Sequence, residues 1–240
     1  MARIVLHRPV ENPLLLPLIR AIVGDDVSEA TRLIKECPDL ARQSLLTGAT
    51  RQSAANFYFK EIEHYLYAGD TPLHAAAAGY RYSIAESLVQ NGAHVAARNR
   101  RGAEPLHYAA DGSPGSHAWN PQAQTEMIVL LLDAGANPDA LDKTGVAPLH
   151  RAVRQRCVGA VDSLLRHGAS VLQKNGNGST PLHLAVQNTG RGGTGSPEVK
   201  ALQKEIVELL LKAGANLKAR DARGRTVAEC AQGEWIHDLL

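Results

Sequence analysis

This 240-residue chain predicts an all-α solenoid, built by stacking one helix-turn-helix unit. Three observations carry that expectation. A six-residue motif, Thr71-Pro72-Leu73-His74-Ala75-Ala76, returns as EPLHYA from Glu104, APLHRA from Ala147 and TPLHLA from Thr180. The interval from a glycine to the next motif proline is constant: Gly92 to Pro105, Gly135 to Pro148, Gly168 to Pro181 and Gly214 to Val227, which holds the proline's place, are thirteen residues each. The reverse interval varies, with twenty residues from Pro72 to Gly92 and Pro148 to Gly168, thirty from Pro105 to Gly135, and thirty-three from Pro181 to Gly214. Insertions of ten and thirteen residues therefore fall in the same half of the unit. Because such an array grows by adding neighbours, the whole chain, 1–240, reads as one elongated domain.

The elements follow in order. Pro17 to Cys37 keeps the twenty-residue interval, with Leu33 and Ile34 in the places of Leu88 and Val89, so residues 13–44 form a degenerate N-terminal unit that suits a capping role. Residues 45–70 form an extended connector, because Cys37 to Pro72 spans thirty-five residues, twenty-two beyond the usual thirteen. Residues 71–225 hold four full units. In the first, Thr71 is an N-cap type and Pro72 suits the first helical position, where its missing N–H costs nothing. Ile84-Ala85-Glu86-Ser87-Leu88-Val89 places apolar residues at helical spacing, and Gly92 supplies a left-handed helix end. Glu104 and Ala147 replace the capping threonine, which predicts a loss of about 1 kcal/mol and softer third and fourth units. Each insertion ends in a cap and a first-turn proline, Asn120-Pro121 and Ser196-Pro197. Outer helices are expected from Pro121 through Asp133 and over about seventeen residues from Pro197. Residues 226–240 begin a last, truncated unit.

The TPLH-like copies, the inner alanines and the closing glycines resemble the ankyrin repeat, and the resemblance covers roughly residues 13 to 240. It implies an ankyrin-repeat solenoid of about six repeats including degenerate ends, with insertions in repeats 3 and 5 and a long first connector. It also implies that His74, His107, His150 and His183 hydrogen-bond to the motif hydroxyl and to neighbouring backbone. Their spacing opposes a shared metal, since helices of successive repeats stand roughly 8–10 Å apart.

Composition excludes other classes. A net charge of +2 is too weak to imply nucleic acid, and Cys37, Cys157 and Cys230 carry no metal or disulfide spacing. The start, MARIVLHRPV, has no long apolar stretch, and Pro17 and Arg20 break the run from Leu14 to Val23, so neither a signal peptide nor a membrane span is expected. A cytoplasmic, reducing location fits, with a monomer and no cofactor. Gly190 to Gly195 satisfies a phosphate-loop spacing but follows a helix rather than a strand. Asp142-Lys143-Thr144-Gly145 lies in a connector, and the sequon at Asn177 lacks a secretion signal. Cys157 and His167 lack an orienting partner for nucleophilic chemistry.

Function is expected to be non-enzymatic: a protein-protein interaction module or scaffold binding through connectors and the concave inner-helix face. Five of the ten aromatic residues, Phe57, Tyr58, Phe59, Tyr65 and Tyr67, crowd the long connector. Tyr80, Tyr82, Tyr108 and Trp119 follow, and tyrosine and tryptophan suit interfaces. Arg98, Arg100 and Arg101 in a connector, with Arg151 and Arg154 on an inner helix, would make the face basic and suited to an acidic partner segment. The partner-binding set is thus Tyr65, Tyr67, Tyr80, Tyr82, Arg98, Arg100, Arg101, Tyr108, Trp119, Arg151 and Arg154. Phe57 and Phe59 could instead fold back over the first repeat. A groove is expected near Arg154, Arg156 and Cys157, flanked by the two inserted loops. The alternatives are nucleic-acid binding by the arginines, a host-directed effector, or an enzyme using His117 and Asp111 at the inserted loops.

Overall fold

The computed structural model describes residues 12–114, 116, 119–187, 195–231 and 234–240. The segment MARIVLHRPV, His117 and the run Gly190 to Thr194 lie outside the described residues. Among those described, twelve α-helices form six consecutive pairs. They are α1 (Leu15–Val23) with α2 (Val27–Glu36), α3 (Pro72–Ala78) with α4 (Tyr82–Gln90), and α5 (Pro105–Ala110) with α6 (Pro121–Asp133). Then come α7 (Pro148–Gln155) with α8 (Val158–Arg166), α9 (Pro181–Ala185) with α10 (Pro197–Lys212), and α11 (Val227–Cys230) with α12 (Glu234–His237). The odd-numbered helices stack in order as an inner layer, and α2, α4, α6, α8 and α10 stack as an outer one. The core runs between the layers, where Leu73, Leu106, Leu149 and Leu182 are buried against outer residues such as Leu88, Leu131, Leu164 and Leu210.

Local chemistry sets the helix ends. Gly92, Gly135, Gly168 and Gly214 adopt φ of +83, +92, +85 and +89°, the left-handed closure expected of them. The motif histidines behave as the resemblance implied. In each, Nδ1 accepts the backbone N–H three residues earlier, as in Thr71 to His74 at 3.1 Å and Ala147 to His150 at 3.2 Å. This fixes the proton on Nε2, which donates to the next connector: His74 to Ala103 O at 3.1 Å, His107 to Val146 O at 3.0 Å, His150 to Ser179 O at 3.1 Å and His183 to Arg225 O at 3.3 Å. Each imidazole therefore joins two repeats. Thr71 and Thr180 point their hydroxyls at the imidazole rather than at a backbone N–H, at 3.0 and 2.8 Å. Glu104 and Ala147, which stand in their places, make no such hydroxyl bond to His107 and His150.

The connectors share a second device. Oδ1 of Asn99, Asp142, Asn175 and Asp221 accepts backbone N–H groups two and four residues ahead. Successive connectors are then linked by main-chain bonds, including Arg100 N to Ala68 O and Lys143 N to Arg101 O.

The insertions lengthen outer helices as anticipated: α6 has 13 residues and α10 has 16, against 9 for α4 and α8. The alanine four places after each motif proline explains how they fit. In the uninserted repeats its carbonyl accepts a backbone N–H, Arg81 to Ala76 at 2.9 Å and Cys157 to Ala152 at 3.0 Å. In the inserted repeats a side chain takes over, with Gln124 Nε2 donating to Ala109 O at 2.9 Å and Gln203 Nε2 to Ala185 O at 2.6 Å. All four donors stand eleven residues before the closing glycine. Both glutamines are buried, and the insertion enters without orphaning the inner helix.

Candidate functional site: a cleft between the long connector and the inner helices

The long connector contains a two-stranded hairpin, β1 (Tyr58–Phe59) antiparallel to β2 (His64–Tyr65), joined by a 3-10 turn at Lys60–Ile62 and by Glu63 in the left-handed region. This hairpin is the finger. It folds back onto the array. A Cβ at Gly79, the C-cap of α3, would lie 2.6 Å from Ile62 Cγ2, and the His64 ring centroid is 4.3 Å from that of Tyr108 on α5. The fold-back reading put Phe57 and Phe59 over the first repeat; Phe59 does pack against the core, Phe57 is not among the residues packed on it, and the contacts of Ile62 and His64 are with repeats 2 and 3.

Asp70 anchors the base of the finger. Its fully buried carboxylate accepts Tyr67 N at 2.6 Å, Asn99 Nδ2 at 2.8 Å and the Tyr108 hydroxyl at 2.8 Å. Finger, second connector and inner helix α5 thus meet at one anion. Burial, then the Asp70 charge, pushes the Tyr108 hydroxyl well above its ordinary pKa, so it remains a donor. The expectation that Tyr108 offers a contact surface is corrected here: it is 1% exposed, because its hydroxyl is committed to Asp70.

Between finger and array lies a cleft of about 340 Å³. Seven of the eleven anticipated residues border it: Tyr67, Tyr80, Arg101, Tyr108, Trp119, Arg151 and Arg154. Tyr80 holds φ +55°, and its hydroxyl donates to Asp111 O at 2.6 Å, bracing repeat 2 against repeat 3. Tyr65 is exposed on the hairpin, its ring 4.8 Å from that of Tyr58, and Tyr82 is exposed on α4; neither borders the cleft. Arg98 and Arg100 also lie outside it. Arg98 bonds Glu104 at 3.0 Å and Leu141 O at 3.1 Å, and Arg100 donates to Ala49 O.

Pairing reduces the positive face expected from sequence. Arg151 bridges Asp111 and Asp142, the latter at 3.0 Å. Burial opposes ionisation of Asp142, but bonds from Thr144, Val146 and Arg151 outweigh it and hold its carboxyl at about 2. Arg101 donates to the Tyr67 hydroxyl at 3.0 Å and stands 5.0 Å over its ring, with no carboxylate partner among the described residues. Arg154 is exposed and meets no carboxylate there either. Sequence reasoning missed Glu61, Glu63, His64 and Arg81 as parts of this wall. The signal was the finger's length, but the direction of its fold-back is not a local property.

The groove expected near Arg154, Arg156 and Cys157 is divided: Arg154 borders the cleft, beside Gly112, Ser113 and Trp119 of the first insertion, whereas Arg156 and Cys157 do not. A depression of about 10 Å³ lies beside Arg156, room for about one water. Gln203 fills that side, and α6 and α10 both pack on α8. Cys157 is buried, and burial pushes its thiol up to about 12. His167 stands at the other end of α8, roughly 15 Å away at 1.5 Å per residue. Asp111, cast as an acid or base, is engaged by Arg151.

Stacked helix pairs joined by hydrogen-bonded connectors define a helical-repeat protein. A family model described as "Ankyrin repeats (3 copies)" matches residues 116–221, and one described as "Ankyrin repeat" matches 68–100. The chain belongs to the ankyrin-repeat family. It is 42% identical over 132 residues to Ankyrin repeat and SOCS box protein 16 of Mus musculus, a match covering 54% of this chain and 28% of that protein. The chain thus spans under a third of the length of that relative. Ankyrin repeats are generally protein-protein interaction modules without catalytic activity. No helix among the described residues is long and apolar enough to cross a membrane.

Proposed function

We propose that this protein is a non-enzymatic interaction module, or scaffold, that grips a segment of a partner protein in the cleft between the finger and inner helices α3, α5 and α7. The observation that carries this reading is the convergence, on one recess, of aromatic rims and arginines that meet no carboxylate among the described residues. Tyr67, Tyr80 and Trp119 offer partly exposed apolar surface, while Arg101 and Arg154 meet no counter-ion among the described residues. Arg101 and Arg154 support an acidic group on the partner. The three free cysteines support a reducing, cytoplasmic setting, and we take the working unit as a monomer.

The test compares capture of partners from source lysate by wild type, by Arg101→Glu/Arg154→Glu, and by an outer-helix control, Lys204→Glu. The reading expects the cleft variant to lose a partner that the control keeps. Equal capture by all three removes it.

A further inference from the structure

The cleft wall carries more than arginines. Glu61 and Glu63, on the finger, are exposed and meet no cation among the described residues. Glu63 holds φ +47° at the hairpin's turn. The other charges on the wall are committed. Arg81 reaches Asp25 at 3.5 Å and Val23 O at 3.1 Å, and Arg151 and Asp111 pair with each other. Lys60, in the same finger turn, is not part of the cleft wall. Two carboxylates on the finger therefore face a recess whose cations without a carboxylate partner among the described residues, Arg101 and Arg154, belong to the array.

A uniformly acidic ligand would satisfy the second pair and be repelled by the first; a basic one would do the reverse. We infer that the cleft selects an extended segment of mixed charge, with a basic residue against Glu61 and Glu63, an acidic residue against Arg154 and Arg101, and an apolar or aromatic residue between them. This deepens the proposed function and rests on it. The spacing follows from the stack. Ile62, between Glu61 and Glu63, lies against Gly79 of repeat 2 and His64 against Tyr108 of repeat 3, while Arg154 belongs to repeat 4, so the two charge pairs stand one to two helix spacings apart, roughly 8–20 Å. An extended chain advances roughly 3.3 Å per residue, so the two charged residues stand about three to six positions apart. A cleft of about 340 Å³ suits a few side chains rather than a folded domain.

Panning a random twelve-residue peptide library on the full chain tests the inference. The expected consensus has one basic and one acidic residue about three to six positions apart around an apolar residue. Binding of a consensus peptide should fall at least tenfold in Glu63→Lys and in Arg154→Glu. Inverting only the peptide charge that faces the changed residue should restore it. A consensus of acidic residues alone, indifferent to or strengthened by Glu63→Lys, overturns the inference, as does no enrichment or binding that ignores both variants. The proposed function survives any of these if Arg101→Glu/Arg154→Glu still loses a lysate partner. If that variant keeps every partner as well, both fall.

Discussion

Gln124 donates its side-chain amide to the carbonyl of Ala109 at 2.9 Å, the bond that a backbone N–H makes to the equivalent alanine in repeats without an insertion. Gln203 does the same for Ala185. Replacing either by methionine keeps the volume but leaves a buried carbonyl without its donor, at a cost of about 1–3 kcal/mol. The expected outcome is a lower urea midpoint for Gln124→Met and Gln203→Met. Unchanged midpoints would show that another donor takes over.

Tyr108 and Asp70 hold the finger on the array, so removing one hydroxyl should loosen an element distant in sequence. Tyr108→Phe leaves the buried carboxylate one donor short, at about 1.5–3 kcal/mol for a bond to a charged group. Limited proteolysis should then cut within residues 51–65 faster than in wild type, while the helices remain protected. Cleavage at the wild-type rate would mean that the finger is held by other contacts.

Stability should fall with acid before the carboxylates titrate. Burial lowers the pKa of His74, His107 and His150, for His107 to about 4. In the unfolded chain these groups titrate near about 6.5, so below that value the unfolded state binds more protons and folding weakens as pH drops. Each such histidine contributes a slope of up to about 1.4 kcal/mol per pH unit, ending at its folded pKa. Asp142, held at about 2, adds a loss that starts only below about 4. Urea midpoints should be flat near pH 7 to 8 and decline from about 6.5 downward. A midpoint constant to pH 5 would contradict neutral histidines in the stack.

What was legible in the sequence is local or periodic. Pro72 with Gly92, and their later equivalents, mark helix starts and ends because proline and glycine act on their own dihedral angles. The bonds of the inner histidines were what the resemblance carried by their motif implied, and His74, His107, His150 and His183 make them. The finger's docking was not readable, since the approach of Ile62 to Gly79 and of His64 to Tyr108 depends on three-dimensional packing. Tyr108 was assigned to the surface on residue type, and the buried carboxylate that claims it lies thirty-eight residues away. The glutamine substitution was available in principle, because Gln124 and Gln203 share one column counted from the closing glycine. It becomes meaningful only once Ala109 and Ala185 are seen to need a donor.

Hydrogen exchange on the chain, alone and with a partner captured through the cleft, tests the central claim most directly. The account predicts new protection in the finger, residues 58–67, and in the inner helix α7 that carries Arg154, with the outer helices α4, α8 and α10 unchanged. Protection confined to the outer helices, with the finger exchanging as in the free protein, would contradict it.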